Sequence, residues 1–318
     1  MRTGAASGTE GYFHEAAFYR SDDEFLALVM PFLTDGVAAG EPTLVTLGEA
    51  NSQLVRAALT TTRGISFVPA ETQYARPAAA IRTYQELMAD YVRRGATQIR
   101  IVGDVPHPGV GAEWGWWARY EAAVNEAFNA YPVWGLCPYD VRHTPTDVLA
   151  DVSRTHPQLA TVDGGHVTNP DFVVPTDFLA ELINSSPPAE PQPPSITLAN
   201  PTPEAARAAV RHLADQRLTT LADTAVNDMI FAVSEGVENA TVHGRAPTTL
   251  RIWNYRHRLV AHITDAGLGP TDPYAGLLRA GSTAGAGLGL WLAHQMCTAV
   301  TLHRHRGGFT LRIATAAS

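Results

Sequence analysis

The sequence contains no lysine: all 23 of its basic residues are arginine. That absence excludes a lysine phosphate ligand and a lysine Schiff base. Only two cysteines occur, Cys137 and Cys297, in different predicted domains, so a structural disulfide is not expected and reduced thiols fit a cytoplasmic protein. No apolar run approaches the ~20 residues of a membrane span, and the polar segment 1–10 does not read as a signal peptide. The run Gly-x-x-x-x-Gly-Lys-Ser/Thr is missing as well, which removes the commonest phosphate-binding loop. Positive charge is in deficit: the formal net charge of −8 disfavours broad attachment to nucleic acid. The expectation is a cytoplasmic chain that contacts neither membrane nor nucleic acid directly.

What is present fits two domains, because 318 residues exceed what one hydrophobic core usually organises. Segment 184–195, Asn-Ser-Ser-Pro-Pro-Ala-Glu-Pro-Gln-Pro-Pro-Ser, has no apolar periodicity and favours extended backbone. It reads as a semi-rigid, exposed linker between domains at 1–183 and 196–318. Before it, short apolar runs at 16–19, 43–47, 65–69, 98–103 and 133–139 alternate with amphipathic helices such as 22–39 and 78–94. That alternation predicts an α/β domain with a doubly wound, mostly parallel sheet, RecA-like in its layering but without a P-loop. Ser21 followed by Glu24 has the spacing of a capping box. After the linker, 196–198 reads as a strand, 203–216 and 222–243 as helices, and 250–254 and 258–264 as strands. A helix at 287–299 and a closing hairpin of 299–305 with 309–314 complete an α+β sandwich, with helices on one face of a mixed sheet.

The second domain carries the clearest chemistry. Glu235 and Asn239 stand at i and i+4 on a predicted helix and share one face, so an amide oxygen can hold Mg²⁺ beside a carboxylate that orients a nucleophile. Two glycine clusters follow, Asp265-Ala-Gly267-Leu-Gly269 and Gly285-Ala-Gly287-Leu288-Gly289. Glycine permits close backbone approach to a nucleotide, and Asp265 can accept a hydrogen bond from an exocyclic amine such as that of adenine. Leu288, Trp291, Leu292 and Met296 continue at helical spacing, which would set a helix N-terminus against phosphate. Each motif alone is equally readable as surface polarity or a turn; together they read as a Mg·ATP site.

In order and spacing, Glu-x-x-x-Asn, Asp-x-Gly-x-Gly and Gly-x-Gly-Leu-Gly resemble the GHKL ATPases, of Bergerat-type fold. Within that superfamily the run from Ala232 to Gly244 looks most like the RsbW-type anti-sigma-factor serine kinases, over residues 197–315. The resemblance implies ATP and Mg²⁺ as cofactors, with Asn239 on Mg²⁺ and Glu235 as general base. It implies Asp265 as the adenine reader, Gly267 and Gly269 at the nucleotide, and Gly285, Gly287, Leu288 and Gly289 in a phosphate lid. It further implies a sigma factor or a STAS-domain anti-anti-sigma protein as partner, and a homodimer. Arg207 stands where those kinases carry an arginine at a partner-binding surface; a solvated arginine is the plain alternative. A sensor histidine kinase is disfavoured, because the proline-rich linker occupies the place of its phospho-accepting helix.

In the first half, His14-Glu-Ala-Ala-Phe-Tyr19, the stretch 25–41, Leu136-Cys-Pro-Tyr-Asp140 and Thr155-His-Pro157 resemble the MEDS sensory domain of DcmR-type regulators, over residues 11–165. The resemblance implies an input module for a small organic ligand, with His14, Tyr19, Cys137 and Tyr139 as pocket candidates. His14 and Cys137, expected at strand ends, offer an imidazole and a thiolate to a transition metal or haem, without a readable third ligand; ordinary packing is the alternative. Trp114, Trp116, Trp117, Tyr120, Trp134 and Tyr139 read as core or as the wall of an apolar pocket, and His107 as a surface-loop residue. The combined expectation is a signalling regulator in which a sensory domain controls an ATP-dependent anti-sigma serine kinase, with a non-catalytic, nucleotide-gated binding module or a histidine-kinase-like sensor as the alternatives.

Overall fold

The first long helix, α1 (Asp22–Ala38), is capped by Ser21, whose hydroxyl accepts from the Glu24 N–H at 3.1 Å. Glu24 turns back, but to the N–H of Arg20 at 2.6 Å rather than to that of Ser21. The computed structural model describes residues 2–110, 114–216, 220–279 and 287–316, and the chain divides into two units, Met1–Phe178 and Leu179–Ser318.

In the first unit, β1 (Phe13–Tyr19), α1, β2 (Thr43–Thr46), α2 (Glu49–Ala58), β3 (Ile65–Phe67), α3 (Ala70–Gln73), α4 (Pro77–Arg93), β4 (Ile99–Gly103), α5 (Trp114–Ala127) and β5 (Val133–Asp140) alternate as expected. Helix α6 (Thr146–Thr155), strands β6 (Gln158–Ala160) and β7 (His166–Thr168), and helix α7 (Pro175–Ile183) follow, and the boundary between units falls inside α7. The sheet runs β3-β2-β4-β5-β1-β6-β7, parallel throughout except for the antiparallel β6–β7 pair. Phe25, Val29 and Leu33 of α1 pack on Val45, Val102 and Leu136 of the sheet, which is the burial that fixes the layer. A buried ion pair sits in this unit, with Arg100 Nε 2.6 Å from Glu41 Oε2 and its guanidinium stacked on Trp134.

The second unit contains β8 (Ile196–Ala199), α8 (Pro203–Asp215), α9 (Asp223–Val242), β9 (Thr249–Tyr255), β10 (Arg258–Asp265), α10 (Leu288–Met296), β11 (Ala299–His305) and β12 (Gly308–Ala316). Its sheet runs β11-β12-β10-β9-β8. Every pairing in it is antiparallel, so the expected mixed sheet is corrected: the hairpins β9–β10 and β11–β12 set the direction of the whole ladder. Val210, Val233 and Val237 of the helices meet Ile252, Ile263 and Leu311 on one face. Gly236 lets α9 lie close, since a side chain there would collide with Ile263.

Segment 184–195 is not a free tether. Most of its residues are exposed, but the Glu190 side chain is only 3% exposed, and it pairs with Arg312 at 3.0 Å and Arg258 at 3.4 Å while accepting from the Tyr255 hydroxyl at 2.9 Å. Ser185 bonds His303, the Gln192 carbonyl accepts from the Trp253 indole, and the Ser195 hydroxyl accepts from the Asn254 N–H. The segment therefore straps the sheet through side chains of β9, β10, β11 and β12 before entering β8. Composition showed the extended backbone; it did not show where the one carboxylate would be neutralised.

Candidate functional site

Helix α9 presents Glu235 and Asn239, both half-buried, one turn apart, with Glu238 exposed beside them. Burial and then the neighbouring Glu238 raise the Glu235 carboxyl above the usual range, which increases its basicity. Gly289, in the first turn of α10, lies directly against that carboxylate, so close that any Cβ would strike it. Gly287 opens the helix in the left-handed region at φ +76°, which favours glycine. The first N–H groups of a helix have no intrahelical partners and attract anions. Leu288 is 38% exposed, and Gly285 lies outside the described residues.

Asp265 ends β10 and is 5% exposed. Its Oδ1 accepts from Arg245 N–H at 3.0 Å and Gly267 N–H at 2.7 Å, which fixes the carboxylate's orientation. Gly244 and Gly267 wrap it so tightly that a Cβ on either would collide with it. Gly269 takes φ +70° against the Phe309 ring, and Arg304 clamps the same loop through the carbonyls of Leu268 and Pro270 at 2.7 and 3.1 Å. The glycines, the fixed acid and the start of α10 are the features a nucleotide needs, and the residues fit that group.

Arg207 of α8 is not simply solvated. Its guanidinium donates to Ser234 Oγ at 2.7 Å and pairs with Glu204 at 3.0 Å, so it ties α8 to the residue next to Glu235.

In the first unit the four pocket candidates separate. His14 is the second residue of β1, near its start, whereas Cys137 lies mid-strand in β5 rather than at an end, with Cys137 Sγ 3.5 Å from His14 Nε2. They line a small space of about 20 Å³, which holds one ion or water and is far too small for haem. Tyr139 donates its hydroxyl to Glu121 at 2.6 Å. Tyr19 instead lines a cavity of about 520 Å³ with Asn51, Asp104 and His107. There the Asn51 amide donates to Asp104 at 2.9 Å and Tyr19 at 3.2 Å. Asp104 Oδ1 has no hydrogen-bond partner, and burial pushes that carboxyl up to about 6. Trp117 and Tyr120 of α5 are core residues packed edge-on against Tyr74.

Residues 13–157 match the family model MEDS, the methanogen/methylotroph DcmR sensory domain, and residues 199–315 match that of the histidine kinase-like ATPase domain. The chain joins a MEDS domain to a GHKL-type ATPase domain. No curated protein matches it. Among solved structures, the RsbU and RsbW domains of a Mycobacterium tuberculosis protein align at 22% identity and TM-score 0.27, over 40% of this chain and 34% of that one. The histidine kinase domain of the E. coli osmosensor EnvZ aligns at 18% identity and TM-score 0.25, over 41% of this chain and 93% of that one. Among the described residues no helix is long and apolar enough to cross a membrane.

Sequence reasoning missed Ser234 and Gly244 in the ATPase domain, and Asp104, Glu121 and His156 in the MEDS domain. Gly244 was quoted only as the end of a motif, although its place beside Asp265 makes it part of the site. Asp104 follows a buried apolar strand, a position where α/β folds gather ligand contacts, and that signal was available. His156 was quoted only inside the Thr155-His-Pro157 stretch and given no role, and Glu121 carried no signal.

Proposed function

We propose that the chain is a signalling regulator whose MEDS domain binds a small organic ligand and controls an ATP-dependent anti-sigma serine kinase. The observation that carries this reading is the close approach of Gly289, in the first turn of α10, to the Glu235 carboxylate, together with Asp265 fixed by two backbone N–H groups. ATP with Mg²⁺ would supply the phosphoryl group and the charge neutralisation. Asn239 would hold Mg²⁺, Asp265 would accept from the adenine amine, and Gly267, Gly269, Gly287, Leu288 and Gly289 would shape the pocket. The raised carboxyl of Glu235 suits it to take a proton from an acceptor serine or threonine hydroxyl. The acceptor would belong to a STAS-domain protein, and the alternative partner, a sigma factor, would be held inactive by the same domain. Arg207, clamped to Ser234, would report nucleotide state to that partner.

The large cavity supports the sensory half. A ligand with a hydrogen-bond donor would satisfy Asp104 Oδ1 while its apolar part lies against the remaining wall.

The test is a pull-down from lysate of the source organism in Mg·ATP and in Mg·ADP, with wild type and Asn239→Ala, read by mass spectrometry. Recovery of a sigma factor or a phosphorylated STAS protein, dependent on nucleotide and on Asn239, is the expected result. Partners indifferent to both would overturn the reading.

A further inference from the structure

Four side chains from four separate elements of the MEDS domain converge on one point: His14 from β1, Glu121 from α5, Cys137 from β5, and His156 just past α6. Their ligand atoms all lie within 4.8 Å of one another, and every one of the four residues is buried. Glu121 Oε2 stands 3.6 Å from the Nε2 of both His14 and His156, and Cys137 Sγ stands 3.5 Å from His14 Nε2. A tetrahedral ion with bonds of about 2.0–2.1 Å to N or O and about 2.3 Å to S requires ligand-to-ligand edges of roughly 3.3–3.6 Å.

Protonation is fixed from outside the cluster. The Asn125 amide nitrogen donates to the carbonyls of Glu121 and Thr155 at 3.0 and 2.9 Å, so its oxygen faces His14 and must accept from Nδ1–H at 3.0 Å. His156 Nδ1 likewise donates to the Val152 carbonyl at 2.9 Å. Both imidazoles, when neutral, therefore aim a bare Nε2 lone pair inward. The Tyr139 hydroxyl satisfies Glu121 Oε1, while Glu121 Oε2 and His156 Nε2 have no hydrogen-bond partner. Of the four inward atoms only Cys137 Sγ and His14 Nε2 are within hydrogen-bond reach of each other, at 3.5 Å, which leaves two buried lone-pair atoms without a partner.

We propose that His14, Glu121, Cys137 and His156 form a closed, four-coordinate site for a divalent transition-metal ion, Zn²⁺ by the donor set. Two neutral imidazoles, a carboxylate and a thiolate carry a total charge of −2, which a divalent cation balances, and the mixture of borderline and soft donors favours Zn²⁺ over Mg²⁺ or Ca²⁺. The partners Asn125, Val152 and Tyr139 are the outer contacts that orient metal-bound imidazoles and carboxylates. All four positions are filled by protein, so the ion locks β1, β5, α5 and α6 together rather than activating water. Tyr139 lies between Pro138 and Asp140, which line the large cavity, so the ion borders the proposed ligand pocket without belonging to it.

The experiment uses the full-length chain, loaded with Zn²⁺ and desalted, with metal counted by inductively coupled plasma mass spectrometry, and a second sample loaded with Co²⁺ for absorption. About one equivalent of zinc and a thiolate-to-cobalt charge-transfer band are expected. Cys137→Ser abolishes that band, and Asn125→Ala weakens metal affinity by about 10–100-fold. No cobalt–thiolate band in wild type, or a band and zinc content that survive in Cys137→Ser, overturns the site. Should Cys137→Ser fail to fold, the wild-type cobalt spectrum decides alone. Asn239→Ala retains the zinc, which separates this site from the proposed nucleotide site.

Discussion

The two domains hold their reactive groups in opposite ways. In the ATPase domain they come from short stretches of chain: one face of α9, the end of β10 with the loop after it, and the start of α10. In the MEDS domain a buried cluster is drawn from positions 14, 121, 137 and 156, on β1, α5, β5 and the end of α6. A cleft site needs glycine and local spacing, which leave a motif. An interior site needs only that four side chains meet after folding, so its members are scattered through separate stretches and their spacing does not show that they meet. The contrast explains why one half of the chain announces its chemistry and the other does not.

Several substitutions would break or sharpen that contrast. The largest effect is expected for Glu235→Gln, which removes the proposed base from the cleft. Phosphotransfer to the partner should fall by about 10²–10⁴-fold with nucleotide affinity little changed, measured by radiolabelled ATP transfer and calorimetry. Unaltered nucleotide-dependent partner release in that variant would instead favour a gated binding module. Next comes Glu190→Ala, which tests whether the ATPase domain also depends on an interior polar cluster. Arg312, 5% exposed, would be left as an uncompensated buried charge, and urea unfolding should show a loss of about 3–5 kcal/mol. Stability unchanged by Glu190→Ala would make the strap a passive tether after all.

A smaller, pH-dependent effect is expected at the MEDS cavity. Because the folded carboxyl of Asp104 is raised to about 6, above its ordinary value of 3.8, its contribution to stability is fully present below about pH 4 and is lost as pH rises through 6. Asp104→Asn should therefore be more stable than wild type by roughly 1–2 kcal/mol at pH 8, with the difference shrinking toward pH 4. Denaturation at both pH values checks the sign; a gap that widens on acidification would contradict it.

Much of the architecture was legible because it is periodic. Apolar runs and amphipathic stretches marked β1, β2, β4, β5, α1 and α4 to within a few residues, and the later elements β9, β10 and β12 equally so. Periodicity reports which face of an element is buried, not which strand it pairs with, so the antiparallel ladder of the second sheet was read as mixed. Proline content described the stiffness of segment 184–195, while the burial of Glu190 depends on Arg258 and Arg312, more than 60 residues away. His14 and Cys137 were noticed as isolated residues, but Glu121 reads as one more acidic position on α5 and His156 as the end of a helix. The motifs of the proposed nucleotide site were visible because each is nearly complete within five residues.

Calorimetric titration of Mg·ATP into wild type and Asn239→Ala, with circular dichroism to verify the fold of both, tests the central proposal most directly. Saturable, Mg²⁺-dependent binding by wild type that disappears in a folded Asn239→Ala is the expected result. Absence of binding by wild type, or an equal titration by the variant, would contradict it.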